Sequence, residues 1–228
     1  MRRVPDQRAV DTLLRSINKP DLSIRGAVLK ALNGLRETAS GLEFGPAFVT
    51  RQILSEAQYY FALNSSLAPL RDEANPRTAR RLLVRSIEER LRQTLERLFR
   101  LLGLRYPPKE IYAAYLAVHH GRRENYSAAL EFLDNVLDRD LKRVILPLLD
   151  DSGRLLETGR NLFGLEVRST EDALRGLLSS GDSWLLSCAM AAAAELRLRA
   201  LAPDIAKAAR GAGAEVGAVA RSAQAALA

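Results

Sequence analysis

Apolar side chains recur at every third or fourth position along most of the chain, which is the period of an amphipathic α-helix. The longest such series lies in residues 77–104, where the opposite face is charged. Its apolar stripe consists of Val84, Ile87, Leu91, Leu95, Leu98 and Leu102. On the charged face, Glu88 with Arg92 and Glu96 with Arg100 are predicted to form pairs four residues apart. The same period predicts further helices at residues 4–17, 22–35, 47–63, 109–119, 124–137 and 141–149.

Helix signals resume in the C-terminal third, after a less regular stretch at residues 151–168. That stretch lacks a sustained apolar period and is predicted to be a mobile loop. Ser169 and Asp172 have the spacing of a capping box, and Gly181-Asp182 is typical of a turn followed by an N-cap. One helix is predicted to begin at Ser169, and the others occupy residues 184–196, 203–210 and 215–227. Because Leu, Ala and Arg are abundant and β-branched runs are few, the sequence predicts an all-α fold.

Two places share one arrangement, in which a short turn precedes the second helix of a hairpin; these helices begin at Asp21 and at Asp182. Small residues that would let helices approach closely follow in both, and they are Ala27, Ala31, Ala189 and Ala193. Stacked hairpins of about 40–47 residues are typical of HEAT-type α-solenoids. Since the central helices are longer, we predict a single, irregular HEAT-like α-solenoid of stacked antiparallel helical hairpins over residues 1–228. It would consist of N-terminal hairpins with long central helices (1–150), a loop (151–168) and C-terminal HEAT-like hairpins (169–228).

Arginine dominates the charge of the chain, whose 34 Lys and Arg residues exceed its 27 Asp and Glu residues to give a net charge of +7. Such a charge suits binding to nucleic acid or to anionic lipid. It equally suits basic residues that are spread over solvated helix faces. The lack of a dense Lys/Arg run favours this second interpretation.

Cys188 is the only cysteine, so the sequence excludes an internal disulfide and a multi-cysteine metal site. It lies within an apolar helix, which predicts a buried structural thiol rather than a nucleophile. No apolar run reaches about 18 residues, and no secretory h-region is present near the N-terminus. We therefore expect a chain that does not span a membrane and that functions in a reducing, cytoplasmic setting.

His119 and His120 do not have the spacing of a zinc site. Adjacent helical residues point about 100° apart, whereas a zinc-binding helix presents two histidines four residues apart. A polar pair at a helix end is therefore predicted. The segment 211–214 lacks the Lys-Ser/Thr of a phosphate-binding loop, and neither histidine lies near a nucleophile elbow.

Four carboxylates close together in the sequence could suggest a metal site, and they are Glu131, Asp134, Asp138 and Asp140. Basic residues that could pair with them lie in the same segment, and they are Arg139, Lys142 and Arg143. An ion-paired, solvated surface is the better interpretation. The sequence thus predicts no catalytic residue, no cofactor-binding residue and no metal ligand, and a protein that is not an enzyme.

The best candidate for binding is a stripe of arginines at the start of the longest helix. Arg77, Arg81 and Arg85 lie four residues apart with no acid between them in helical register. Such a stripe could bind phosphates, an acidic protein or lipid headgroups. The alternative is the ordinary exposed face of a long helix.

The chain resembles the soluble HEAT-repeat region of bacterial proteins related to nucleotide transporters of the ADP/ATP carrier type. In that family the region follows a major-facilitator-type membrane domain. The resemblance rests on segments whose order and spacing match, namely 95–104, Tyr106-Pro107-Pro108, Ile111-Tyr112, 130–137, Leu141-Lys142-Arg143, 147–150 and 181–185. It covers most of the chain from about Arg77 onward. This chain would then be a detached domain, and it lacks the phosphate-binding cassette that cyclic-nucleotide binding requires.

The resemblance implies a non-enzymatic interaction or regulatory module whose partner is another protein or an adjoining membrane transporter domain. The arginine stripe adds anionic lipid headgroups as a candidate ligand. The main alternative is a HEAT-like nucleic-acid-binding protein or alkylbase DNA glycosylase, which would need aromatic side chains and a carboxylate in a basic groove. Trp184, the only tryptophan, is predicted to lie in the core near a turn, which disfavours that alternative. A HEAT-type lyase or carrier for a tetrapyrrole is the third possibility.

Overall fold

The computed structural model describes residues 6–17, 22–39, 41–71, 78–121, 123–149 and 154–228. Within these ranges the chain forms α-helices and two short 3-10 helices and contains no β-strand, so the all-α prediction is confirmed. The α-helices of the N-terminal half are α1 (Gln7–Ser16), α2 (Leu22–Thr38), α3 (Pro46–Leu67), α4 (Thr78–Arg105) and α5 (Pro108–His120). Those that follow are α6 (Arg123–Val136), α7 (Arg139–Leu149), α8 (Leu155–Phe163), α9 (Thr170–Leu178), α10 (Ser183–Glu195), α11 (Ala202–Ala209) and α12 (Ala214–Leu227).

The described chain divides into two compact units. The first comprises Met1–Phe61 and Gln93–Phe163, and the second comprises Ala62–Arg92 and Gly164–Ala228. The sequence pattern does not indicate this division, because α3 and α4 each continue across it without a break in their periodicity. The prediction separates residues 1–150 from residues 169–228 by a loop at 151–168. It therefore places residues 62–92 in the N-terminal part and not with the C-terminal helices.

The first unit has a buried ion-pair cluster at its centre in addition to an apolar core. The Glu56 carboxylate on α3 accepts from Arg97 Nε on α4 at 2.6 Å and from Arg25 Nη1 on α2 at 3.1 Å. The Glu56 side chain is 3% exposed and the Arg97 side chain is 5% exposed. A buried charge is tolerated only when it is paired and hydrogen-bonded, so these three helices are tied together at one point.

The second unit has a core built around α10. Leu185, Ala189, Met190 and Ala193 are fully buried there, and α10 packs against both α9 and α12. The predicted role of Ala189 and Ala193 as small buried residues is therefore confirmed.

The equivalent prediction for α2 is wrong, because Ala27 and Ala31 are exposed. Helix α2 instead turns Val28, Leu29 and Leu32 inward. The start of α2 at Asp21 and the predicted turn at residues 72–76 lie outside the described residues.

The predicted loop at residues 151–168 is wrong where α8 forms. Gly159 of this helix is buried, and the absence of a side chain lets Phe61 approach closely. The Phe163 ring packs on the Phe61 ring with centroids 5.4 Å apart. These tertiary contacts stabilise a helix of nine residues that would be marginal in isolation.

Helix α3 is longer than the predicted range 47–63. It continues through Asn64-Ser65-Ser66 to Leu67, and Leu63 and Leu67 are buried. Helix α7 includes Pro147 and ends at Leu149, where the prediction of residues 141–149 places its end.

Candidate functional site

The two helix caps that the sequence indicates in the second unit are present. The Ser169 hydroxyl accepts from the Asp172 backbone N–H at 3.1 Å at the start of α9. At the start of α10, Asp182 Oδ1 accepts from the N–H groups of Trp184 and Leu185 at 3.0 and 3.1 Å. The second cap fixes the position of Trp184 in the first turn of α10.

A third cap fixes the start of α4 and was not predicted. The Glu195 carboxylate, at the end of α10, accepts from the backbone N–H groups of Ala79 and Arg80, both at 3.1 Å. A carboxylate at a helix N-terminus satisfies unpaired donors and interacts favourably with the helix dipole. This contact therefore orients the first turns of α4, which carry the predicted arginine stripe.

We expect Glu195→Ala to lower the free energy of unfolding by about 1–2 kcal/mol, because two backbone donors lose their acceptor. Urea unfolding followed by far-UV circular dichroism measures the change. The control is Glu131→Ala, which removes an exposed glutamate from the middle of α6 and should change stability by less than about 0.5 kcal/mol. Equal effects of the two variants would show that the cap contributes nothing.

Of the three arginines predicted to bind anions, Arg81 and Arg85 are described and Arg77 lies outside the described residues. Both described side chains are exposed and lie one turn apart on α4. Within the described part of the chain, neither forms an ion pair. The described residues therefore supply no ion-pair partner for these two neighbouring cations.

The acids nearby are already paired. Glu88 accepts from Arg71 at 2.9 Å, and Glu89 accepts from Arg92 at 2.5 Å. The predicted pair of Glu88 with Arg92 is therefore wrong. The other predicted pair, Glu96 with Arg100, is confirmed at 2.6 Å. Within the described part of α4, these acids therefore pair with arginines other than Arg81 and Arg85.

Trp184 corrects a sequence expectation, because it is 51% exposed and not in the core. Its indole Nε1 donates to Ser86 Oγ at 2.9 Å, and the same hydroxyl donates to the Leu82 carbonyl at 2.8 Å. The indole thus lies against the turn of α4 between Leu82 and Ser86, next to Arg85. Leu82 is itself 46% exposed.

We name Arg81, Leu82, Arg85 and Trp184 the basic-aromatic face. The two helices that carry this face are linked to each other, because Asp182 Oδ2, at the N-cap of α10, accepts from Arg90 Nε of α4 at 2.5 Å. The face combines two unpaired cations with two exposed apolar side chains. Sequence reasoning found the cations only. The position of Trp184 in the first turn of α10 does not by itself indicate exposure, because Leu185 in the same turn is fully buried.

Cys188 is buried beneath this face, as the sequence predicts. Its sulfur lies 3.9 Å from Ser86 Oγ. Burial raises the pKa of the Cys188 thiol, and the hydrogen bond with Ser86 lowers it only in part. A buried thiol that remains protonated contributes to packing and is a poor nucleophile.

The histidines form the end of a row of rings on α5. His119 stacks on Tyr115 with centroids 5.6 Å apart, and the His120 ring lies 4.3 Å from that of His119. The described residues contain no group of three or more His, Cys, Asp or Glu side chains that could bind a metal ion. The prediction of a polar pair at a helix end agrees with this arrangement.

The carboxylates between residues 131 and 140 pair partly with the basic residues that the sequence predicts and partly with residues that it does not. Lys142 Nζ lies 3.4 Å from Asp134, as expected. Asp138 instead binds Arg105 at 2.5 Å and accepts from the Tyr106 hydroxyl at 2.9 Å. A shallow groove of about 580 Å³ lies along α6 and α7 and is lined by Leu130, Glu131, Asp134, Lys142, Arg143, Leu146 and Pro147.

Comparison with known proteins gives no match: no protein-family model, curated protein or solved structure is significantly similar to the chain. Separately, among the described helices none is both long enough and apolar enough to cross a bilayer.

Proposed function

We propose that this protein is a non-enzymatic interaction module that binds an anionic partner through the basic-aromatic face. The observation that carries the proposal is a pair of exposed arginines, Arg81 and Arg85, that form no ion pair with any described residue and lie beside the exposed side chains of Leu82 and Trp184. Isolated exposed apolar residues need no explanation, but a tryptophan and a leucine bordered by free cations are typical of a contact surface.

The proposal includes an α-solenoid of the HEAT type for the overall architecture. Supporting it, helices that follow one another pack as neighbours within each unit: α1 with α2, α5 with α6, α9 with α10, and α11 with α12. The resemblance to transporter-associated HEAT regions further suggests a cytoplasmic module that adjoins a membrane transporter domain.

A non-enzymatic role is supported by the structural uses of the reactive groups near the face. Asp182 is engaged on both carboxylate oxygens, by two backbone N–H groups and by Arg90, and its side chain is 6% exposed. Cys188 is buried, and its thiol pKa is raised. Neither group is positioned to act on a bound molecule.

The alternative, a nucleic-acid-binding protein or an alkylbase DNA glycosylase, would use the same face. Trp184 offers an aromatic surface, and Asp182 is a carboxylate two residues away. A glycosylase would need that carboxylate free to face the damaged base, whereas here it is a helix cap and an ion-pair partner. Salt-sensitive retardation of DNA in a gel, together with excision of an alkylated base, would establish the alternative.

The Arg81→Gln/Arg85→Gln variant tests the proposed function, with heparin as a nucleic-acid-free polyanion. We expect it to weaken heparin binding about tenfold at low salt, because two cations no longer displace counterions. It should also reduce the slope of log K against log salt by about 2. Isothermal titration calorimetry at several salt concentrations measures both.

The matched control is Arg139→Gln/Arg143→Gln. These residues are also exposed and four apart on one helix, α7, and the variant has the same net charge. We expect it to bind heparin nearly as wild type does. If the two variants lose affinity equally, binding depends on net charge alone and the assignment of this face is wrong.

A further inference from the structure

We propose that the anionic partner of the basic-aromatic face is the headgroup layer of a lipid bilayer, into whose surface Trp184 and Leu82 insert. This inference rests on the proposed function and names its ligand. The face would bind from the water side, with the two arginines at the level of the phosphates and the indole at the boundary of the hydrocarbon.

The indole of Trp184 has the properties that the boundary between headgroups and hydrocarbon requires. Its one polar atom, Nε1, already donates to Ser86, so the exposed remainder of the ring enters an apolar layer without losing a hydrogen bond. Tryptophan is enriched at membrane–water interfaces because its ring is amphipathic. Leu82, one turn before Ser86, extends the same apolar surface along α4.

The arginines complement the charge of an anionic leaflet. Each basic residue near such a surface contributes to binding, and the contribution falls off within a Debye length. Arg81 and Arg85 flank Leu82 in sequence, and the described acids of this part of α4, Glu88 and Glu89, pair with Arg71 and Arg92 instead. A face that offers cations around an inserting apolar element is typical of proteins that bind at the bilayer surface.

The size of the apolar element favours a bilayer over the other anionic partners. A stable protein interface buries about 800 Å² on each side, which is far more than two side chains provide. Binding to single-stranded nucleic acid uses several aromatic side chains for successive bases, and the face has one. Insertion into a bilayer, in contrast, requires only a few apolar side chains together with nearby basic charge.

Trp184 is the only tryptophan, so its fluorescence reports on the face directly. The wild-type chain is titrated with phosphatidylcholine vesicles that contain phosphatidylserine and with vesicles of phosphatidylcholine alone. We expect sedimentation with the anionic vesicles only, a shift of Trp184 emission to shorter wavelength, and quenching by phosphatidylserine with brominated acyl chains. These readouts need no substitution and so do not depend on how a variant folds.

Variants then assign the binding to residues. Arg81→Gln/Arg85→Gln should weaken vesicle binding roughly 20- to 30-fold, while Arg139→Gln/Arg143→Gln should weaken it far less. Leu82→Ser should also weaken vesicle binding, because it removes an apolar side chain that inserts. If Leu82→Ser binds vesicles as wild type does and brominated lipid fails to quench Trp184, insertion of this face is disproved.

The outcomes separate this inference from the proposed function. Binding to heparin without binding to anionic vesicles would overturn the bilayer as partner and leave an anionic partner of another class. Tighter binding to duplex DNA than to vesicles would overturn it in favour of the nucleic-acid alternative. Failure to bind heparin, vesicles and DNA would overturn both proposals.

Discussion

Replacing Glu56 with alanine is expected to lower the free energy of unfolding by about 3–5 kcal/mol, the largest effect that we expect from any single charged residue. The reason is that Glu56 is the shared partner of Arg97 and Arg25 inside the first unit. Without the carboxylate, the Arg97 guanidinium remains buried and loses its charged partner, while its hydrogen bond to Thr94 Oγ1 at 2.9 Å is kept. An unpaired buried charge is among the most destabilising features in a protein interior.

The measurement is urea unfolding at neutral pH, followed by far-UV circular dichroism. Glu88→Ala is the matched control, because it also removes a glutamate that pairs with an arginine, Arg71, but at the surface. Exposed pairs of this kind contribute about 0–1 kcal/mol. The two variants differ in the burial of the carboxylate and in its two partners, Arg97 and Arg25, so their difference measures the cost of leaving these buried or part-buried arginines without Glu56.

The double variant Glu56→Leu/Arg97→Met tests whether the ion pair itself stabilises the fold or whether only the loss of one partner is destabilising. We expect it to recover most of the stability lost in Glu56→Ala, because buried pairs replaced by apolar residues of similar volume are often neutral or stabilising. Arg25 retains its bond to the Ile17 carbonyl at 2.9 Å and is partly exposed, so it can be solvated. A double variant as unstable as Glu56→Ala would contradict this account.

The apolar period was enough to predict the helices but not this ion-pair cluster. Arginine and glutamate on a long helix are normally solvated, and nothing in the local spacing of Arg97 marks it as buried. Its burial follows from tertiary packing, since Leu98, Phe99, Leu101 and Leu102 bury α4 on nearly all sides in this region. A helix surrounded by neighbours must bury whatever polar residue its sequence contains there, and Glu56, on α3, is 41 positions away in the chain.

Because a sequence pattern shows local features and not tertiary packing, only part of the candidate site could be predicted. Arg81 and Arg85 were found because an unpaired i,i+4 stripe is a local feature. Leu82 was missed because it lies one position outside the stripe, and Trp184 was assigned to the core because an alanine-rich helix reads as buried throughout. The indole instead lies against α4 through a hydrogen bond to Ser86, a residue 98 positions away that local patterns do not connect to it. Helix α8 was likewise missed because Phe61 is needed to stabilise it.

Replacing Gly103 with alanine is expected to destabilise the protein by about 1–2 kcal/mol, although replacing a glycine within a helix with alanine normally stabilises a protein. Alanine has a helix propensity about 1 kcal/mol better than that of glycine. In α4, however, a Cβ on Gly103 would lie 2.5 Å from Asn33 Oδ1 and 3.5 Å from Pro108 Cα. Overpacking of this kind costs about 1–3 kcal/mol and outweighs the gain in propensity.

Asn33 cannot move aside freely, because it is buried and its Nδ2 donates to the carbonyl oxygens of Leu29 at 2.9 Å and Arg100 at 2.8 Å. Gly34→Ala is the matched control: this glycine is also helical, is exposed, and has open space where a Cβ would be placed. We expect Gly34→Ala to stabilise the protein by about 0.5–1 kcal/mol. Thermal unfolding compares the two variants.

The steric origin of the Gly103 effect is tested by a double-mutant cycle with Asn33→Ala. When the asparagine amide is absent, the added methyl group at residue 103 no longer meets an oxygen atom, so Gly103→Ala should become neutral or stabilising. A coupling free energy of about 1–2 kcal/mol between the two positions is therefore expected. If the effects of the two substitutions are simply additive, the contact between α2 and α4 at this point does not limit the size of residue 103, and another neighbour must explain the preference for glycine.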